Sequence, residues 1–152
     1  MKAKLIEQKK GEYLLTTDSS SLDLKQIHRW IDSSYWGKGI PFETVKRSAE
    51  NSLCFSIFKN GKQVAFSRVV TDYATFGYLS DVFVDENERG NGLSKWIVES
   101  IMSHPDLQNF RRWNLVTLDA HTLYERYGFK PLEHPERYLE KYNPEVYGGK
   151  AY

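Results

Sequence analysis

The chain has 152 residues, which predicts one domain spanning 1–152 with a core that needs no staples. Apolar residues make up 40% and charged residues 27%, and the net charge of +1, with no basic cluster longer than Lys9–Lys10, argues against a nucleic-acid surface. Cys54 stands alone, so neither a disulfide framework nor a thiolate metal site forms within one chain; no apolar run matches a bilayer, and the charged start Met1-Lys2-Ala3-Lys4 does not read as a signal peptide, so a cytoplasmic protein outside any membrane is expected.

In chain order, Glu12–Thr17 predicts a strand bounded by Gly11 and Asp18. Leu24, Ile27 and Ile31 recur at helical spacing behind Asp23, a suitable cap. Residues Ser33–Ile40 read as a loop, and Pro41 suits the first turn of a second helix over Phe42–Ala49. Strands Cys54–Phe58 and Gln63–Val70 flank Asn60-Gly61, a strong hairpin turn. Phe76–Val84 predicts a central strand, and Leu93–Met102 a helix with Leu93, Ile97 and Ile101 on one stripe, stopped by Pro105. Trp113–Leu118 follows as a strand and Ala120–Tyr127 as a short helix closed by Gly128. Phe129–Leu132 and Tyr138–Tyr142 are expected as the last strands, with a loose tail at Gly148–Gly149. The order predicts an α/β fold with a mixed sheet and helices on its faces.

Chemistry concentrates first in Val82-Phe83-Val84-Asp85-Glu86-Asn87-Glu88-Arg89-Gly90-Asn91-Gly92-Leu93-Ser94. A buried strand enters a glycine-rich turn that opens a helix. Amides at a helix N-terminus, with the dipole behind them, attract an anion, and glycines let a phosphate approach the backbone. Three better-known glycine motifs fail here. A dinucleotide fingerprint needs glycine where Lys95 stands, a P-loop needs a Gly-Lys-Ser/Thr run that is absent, and a hydrolase elbow around Ser94 needs glycine where Trp96 stands. Taken alone, the turn reads equally as a pyrophosphate site or as a loop with two turn glycines.

The second concentration is Asp119-Ala120-His121-Thr122-Leu123-Tyr124-Glu125-Arg126-Tyr127-Gly128-Phe129. A tyrosine hydroxyl titrates at about 10 and can give a proton to a leaving thiolate. Packing is the alternative role for Tyr124. No histidine pair or carboxylate group has metal-ligand spacing, so no metal is expected. Cys54, on a strand, is expected to be a small buried apolar residue.

Together, the strand, the Arg-Gly-x-Gly turn with its helix, and the later Leu-Tyr-x-x-x-Gly-Phe resemble the GCN5-related N-acetyltransferase (GNAT) superfamily over about Leu53–Leu132, and a small bacterial-type member in particular. Its cofactor motif is Gln/Arg-x-x-Gly-x-Gly/Ala; Asn87 departs at the first position, while Gly90 and Gly92 match. The resemblance implies a central mixed, mostly antiparallel sheet flanked by helices on both faces. It implies acetyl-CoA as cofactor, with the pyrophosphate on the amides of Arg89, Gly90, Asn91, Gly92, Leu93 and Ser94. The pantetheine arm would run along Phe83 and Val84. Tyr124 matches the tyrosine near the CoA sulfur, and Asp119 a polar residue that touches the pantetheine.

The implied reaction is direct attack of a small-molecule or peptide amine on the thioester. The amine must lose a proton, and the oxyanion needs a donor. Asp81, just before the cofactor segment, is the first candidate base, directly or through water; satisfaction by neighbouring amides is its alternative, and His121 is the runner-up. Tyr35 and Trp36, among glycines, read as a wall of the acceptor site, with Arg68 and Asp72 within its reach. A non-catalytic acyl-CoA-binding regulatory module is the competing function; it would keep the glycine turn and dispense with Tyr124 and a base. A homodimer is left open, with the tyrosine-rich stretch Tyr138–Tyr152 as a strand and tail or as a partner-swapping arm.

Overall fold

The computed structural model describes residues 2–148; Met1 and the tail from Gly149 onward lie outside the described residues. Its strands are β1 (Glu7–Lys10), β2 (Tyr13–Thr16), β3 (Leu53–Lys59), β4 (Lys62–Thr71), β5 (Phe76–Val84) and β6 (Arg112–Asn114). They form one sheet in sequence order, antiparallel throughout except for the parallel pair β5–β6. The helices are α1 (Leu24–Ser33), α2 (Phe42–Glu50), α3 (Leu93–Ser103) and α4 (His121–Glu125). No helix among the described residues is long and apolar enough to cross a membrane.

The pleat sends alternate side chains to opposite faces, and each face has its own helical cover. On one, Leu15, Phe55, Ile57, Val69 and Leu79 meet Ile97, Val98 and Ile101 of α3. On the other, Cys54 and Phe66 meet Ile27 and Ile31 of α1 and Val45 and Ala49 of α2. Asp23 caps α1 by accepting from the Gln26 amide at 3.0 Å. Asn60 and Gly61, at φ 49° and 80°, make the tight turn between β3 and β4.

Five elements differ from the sequence-based expectation. β1 is fully exposed and made of Glu-Gln-Lys-Lys, so no hydropathy pattern marks it; backbone pairing with β2 alone makes it a strand. The strand expected over Trp113–Leu118 shortens to β6, leaving Val116 and Leu118 82% and 70% exposed. The helix expected over Ala120–Tyr127 contracts to the five residues of α4, whose end still turns through Gly128 at φ 90°. Phe129–Leu132 and Tyr138–Tyr142 form no strands. Pro131 removes a donor that a ladder would need from the first of them, and a cavity of about 550 Å³ is lined by Arg112 and Trp113 of β6, Phe110, Phe129 and Tyr138.

The β5–β6 junction depends on Gly77. A Cβ there would lie 2.6 Å from the Trp113 ring. Gly77→Ala is therefore expected to destabilise the protein by roughly 1–3 kcal/mol through overpacking. Thermal unfolding checks this; an unchanged melting temperature would show that the ring moves freely.

Candidate active site

The parallel ladder pairs Phe76–Tyr78 with Arg112–Asn114 and stops there, while β5 runs on to Val84. From Leu79 to Val84 the edge of β5 that faces β6 is therefore unpaired. On its other edge the ladder with β4 is irregular: Arg68 pairs with Ser80 and Phe66 with Phe83, so Ser67 alone faces Asp81 and Val82. Asp81 takes φ 55°, in the left-handed region that a non-glycine residue enters only when its surroundings hold it there. This bulge turns β5 outward and aims the Asp81 side chain.

Beyond the open edge, Asp85 caps the 3-10 turn Glu86–Glu88 by accepting from the Asn87 amide at 2.9 Å. Gly90 and Gly92 sit at φ 83° and 74°, and an added Cβ on either would meet nothing within 4 Å. Gly92 is the cap of α3 and offers no side chain; the first amide with an intrahelical partner is that of Trp96, bonded to the Gly92 carbonyl at 3.0 Å. The amides of Leu93, Ser94 and Lys95 are left pointing out of the helix end. Space above the glycines, free amides and the positive end of an 11-residue helix coincide. The Asn91 side chain braces the turn by donating to the Glu88 carbonyl at 3.1 Å, and the Arg89 side chain is exposed.

Glu88 anchors the turn. It accepts from the Tyr13 hydroxyl at 2.7 Å and from Lys59 Nζ at 3.0 Å, and these partners hold its carboxyl below the ordinary range. A depressed carboxyl contributes stability that is present above its unfolded range and lost as pH falls through the lowered value. Glu88→Gln is expected to flatten the acid side of the melting temperature against pH; an unaltered profile would mean that the anchor carries no stability.

Tyr124 reaches the same end of the molecule from α4. It is buried, 7% exposed, and its hydroxyl is pushed up to about 12, first by burial and then by the charges of Asp119 and Tyr35. Tyr35 and Trp36 come from the loop after α1. Their rings meet edge-on at 5.0 Å, and Trp36 lies 5.1 Å from the Phe83 ring, which in turn stacks on Trp30 at 6.1 Å. Trp36 Nε1 donates to Asp81 Oδ1 at 3.0 Å, and Arg68 Nε to Oδ2 at 2.6 Å. The aromatic loop thus ties the bulge of β5 to the neighbourhood of Tyr124.

The Acetyltransferase (GNAT) domain profile matches residues 50–131, more than half of the chain. The chain belongs to the GNAT acetyltransferase family. A crystallised GNAT-family protein of Xanthomonas campestris is 48% identical, covers 90% of this chain and 97% of its own, and superposes with a TM-score of 0.88. A Gibberella zeae protein named as an acetyltransferase is 28% identical over 139 residues, 76% of this chain and 77% of the relative. A Clostridium acetobutylicum protein solved with acetyl-CoA shares the fold at a TM-score of 0.62 and 16% identity, over 86% of this chain and 94% of that one. Acetyl transfer is thus the general activity of the family to which this mixed α/β sheet belongs.

The structure brings Tyr35, Trp36, Asp81, Phe83 and Arg68 together, and packs Tyr124 in one core cluster with Val82 and Val84 of β5 and with Leu93 after the glycine turn. Asp119 is exposed and felt electrostatically by Tyr124. Asp72 is placed otherwise. Its carboxylate accepts from the amides of Ala74, Thr75 and Phe76 and from the Thr75 hydroxyl, so it is spent on its own turn. These bonds, that of the Thr75 hydroxyl first, hold it well below the usual carboxylate range, and none of them reaches the loop after α1. His121 is exposed on α4. Cys54 is buried, and burial pushes its thiol up to about 12, which suits the packing role expected of it. Sequence reasoning missed Trp30, which stacks on Phe83, Ser52, which accepts from Arg68 Nη1 at 3.1 Å, Tyr78, which feels the charges of Asp81 and Arg68, and Glu88, which accepts from Tyr13 and Lys59; these contacts are tertiary and no linear motif marks them. It also missed Gly39, where a Cβ would lie 2.8 Å from the Tyr147 carbonyl. The chain near Tyr147 therefore rests against the loop after α1.

Proposed function

We propose that this protein is an acetyl-CoA-dependent N-acetyltransferase that moves an acetyl group to a primary amine of a small molecule or peptide. The observation that carries the reading is the edge of β5 left open beyond Tyr78, leading into the glycine-capped N-terminus of α3, with the buried Tyr124 in the same core cluster as Leu93, Val82 and Val84. The residues fit the cofactor: Gly90 and Gly92 leave the space that a side chain would fill, and the amides from Gly90 to Ser94 offer donors to the pyrophosphate. Phe83 and Val84 offer unpaired backbone groups to an extended arm, as a neighbouring strand would meet them. Bound there, acetyl-CoA supplies a thioester carbonyl for attack.

The chain's own residues supply the rest. Asp81, aimed by the bulge, takes the proton from the amine directly or through water. The Tyr124 hydroxyl stays protonated across the physiological range and donates to the departing sulfur. Tyr35, Trp36 and Arg68 shape the acceptor side, and the aromatic rings limit the access of water.

The test is acetyl-CoA-dependent thiol release with a panel of primary amines. Release that requires both acetyl-CoA and one class of amine is expected. Saturable acetyl-CoA binding with no release for any amine would instead support the non-catalytic acyl-CoA-binding module.

A further inference from the structure

Arg68 and Asp81 make a pair whose chemistry goes beyond closing the bulge. Arg68 lies on β4, in register with Cys54 of β3 and Ser80 of β5, on the sheet face that α1 and α2 cover only in part. The two side chains are 19% and 6% exposed, so the pair is withdrawn from water without being sealed. Arg68 Nε is given to Asp81 at 2.6 Å, and Nη1 reaches Ser52 Oγ at 3.1 Å. Nη2 has no hydrogen-bond partner among the described residues, and Nη1 has a second hydrogen, so the guanidinium keeps donors to spare. Tyr78 stands beside the pair, half-buried, where it feels the charges of both Asp81 and Arg68; burial keeps its hydroxyl neutral and hence a donor.

Charge decides what such a site selects. A bare carboxylate would draw any cationic amine, but here Arg68 already cancels Asp81. A simple alkylamine or a polyamine gains little net attraction and must compete with the guanidinium for the carboxylate. A zwitterion meets both partners: its carboxylate lies end-on against the free guanidinium edge, the geometry for which arginine is suited, and its ammonium lies toward Asp81. The Trp36 ring, held on Asp81 and packed against Phe83, stands beside the pair, and the Tyr147 backbone lies against Gly39 of the same loop; ring and loop beside the charges suit a small molecule over a folded protein surface.

We propose that the acceptor is a small amine bearing a carboxylate close to its nitrogen, of the amino-acid class, and that Arg68 holds that carboxylate. This rests on the acetyltransferase reading above. The ammonium first loses one proton toward Asp81 and on to water; the free amine nitrogen then forms the new bond to the acetyl carbon as the carbon–sulfur bond breaks, its second proton leaves toward Asp81, and the thiolate takes a proton from Tyr124, which water restores.

The test compares each common L-amino acid with its own carboxamide in the thiol-release assay, with rates expressed per free amine. The acid of at least one pair is expected to exceed its amide in kcat/KM by about tenfold or more, chiefly through KM. In Arg68→Gln that ratio should fall to within about threefold, and Arg68→Lys, which keeps the charge and loses the fork, should fall between. Acetyl-CoA titration of each variant reports whether it is folded; if Arg68→Gln fails that check, the wild-type ratio and Arg68→Lys carry the test. Amides or alkylamines turned over as well as the acids, a ratio that survives the loss of Arg68, or release with no amino acid would each overturn the proposal. Failure of the wild type to bind acetyl-CoA would instead overturn the reading on which it rests.

Discussion

Gly90→Val is expected to weaken acetyl-CoA binding by about 100-fold or more while the fold survives. Gly90 holds φ 83°, and a side chain there costs about 1–2 kcal/mol, small against a domain stability of about 5–15 kcal/mol. No protein atom lies within 4 Å of the added Cβ, so the new side chain starts out into open space rather than into the core. It enters the space in which a pyrophosphate would approach the amides. Hydrogen bonds to a charged group contribute about 1.5–3 kcal/mol each, so two that are lost account for the change. Calorimetric titration of the variant, beside a thermal melt, reads both effects. Unchanged affinity would remove the turn from the cofactor site.

Tyr124→Phe is expected to lower kcat by about 100-fold, at the modest end for loss of a general acid, while leaving the acetyl-CoA affinity within about threefold. The ring stays buried, so packing is kept and only the hydroxyl goes. In the wild type that hydroxyl is raised to about 12, so its donor form persists as pH rises and is lost only in that range. The rate should therefore climb with pH as the amine loses its proton, with no falling limb up to about pH 10. Equal turnover in Tyr124→Phe would remove the hydroxyl from the mechanism. An alkaline limb near pH 8–9 that disappears in the variant would show that its proton is held far less tightly than burial implies.

The readable parts of the sequence were those in which one local signal suffices. Asp23 before a helical stripe, Asn60-Gly61 between two β-rich runs, and a strand ending in Gly90 and Gly92 before a helix each carry their structure within a few residues. β1 carries no such signal, because a polar edge strand is made by its partner. Phe129–Leu132 has the composition of a strand, but Pro131 removes a ladder donor and a cavity opens beside Phe129 and β6. In the site, Gly90, Gly92 and Tyr124 were legible as motif positions. The Arg68–Asp81–Trp36 contact joins β4, β5 and the loop after α1 through a bulge at φ 55°, and no spacing in the chain announces a bulge. Asp72 looked equally available as a side chain, yet four local donors consume it.

The most direct measurement is backbone amide chemical-shift mapping during titration of the 17.8 kDa protein with acetyl-CoA. Saturable shifts clustered at Val82–Val84, Gly90–Ser94 and around Tyr124 are the predicted result. Shifts confined to the cavity beside β6, or none at any acetyl-CoA concentration, would contradict the assignment of this edge as the cofactor site.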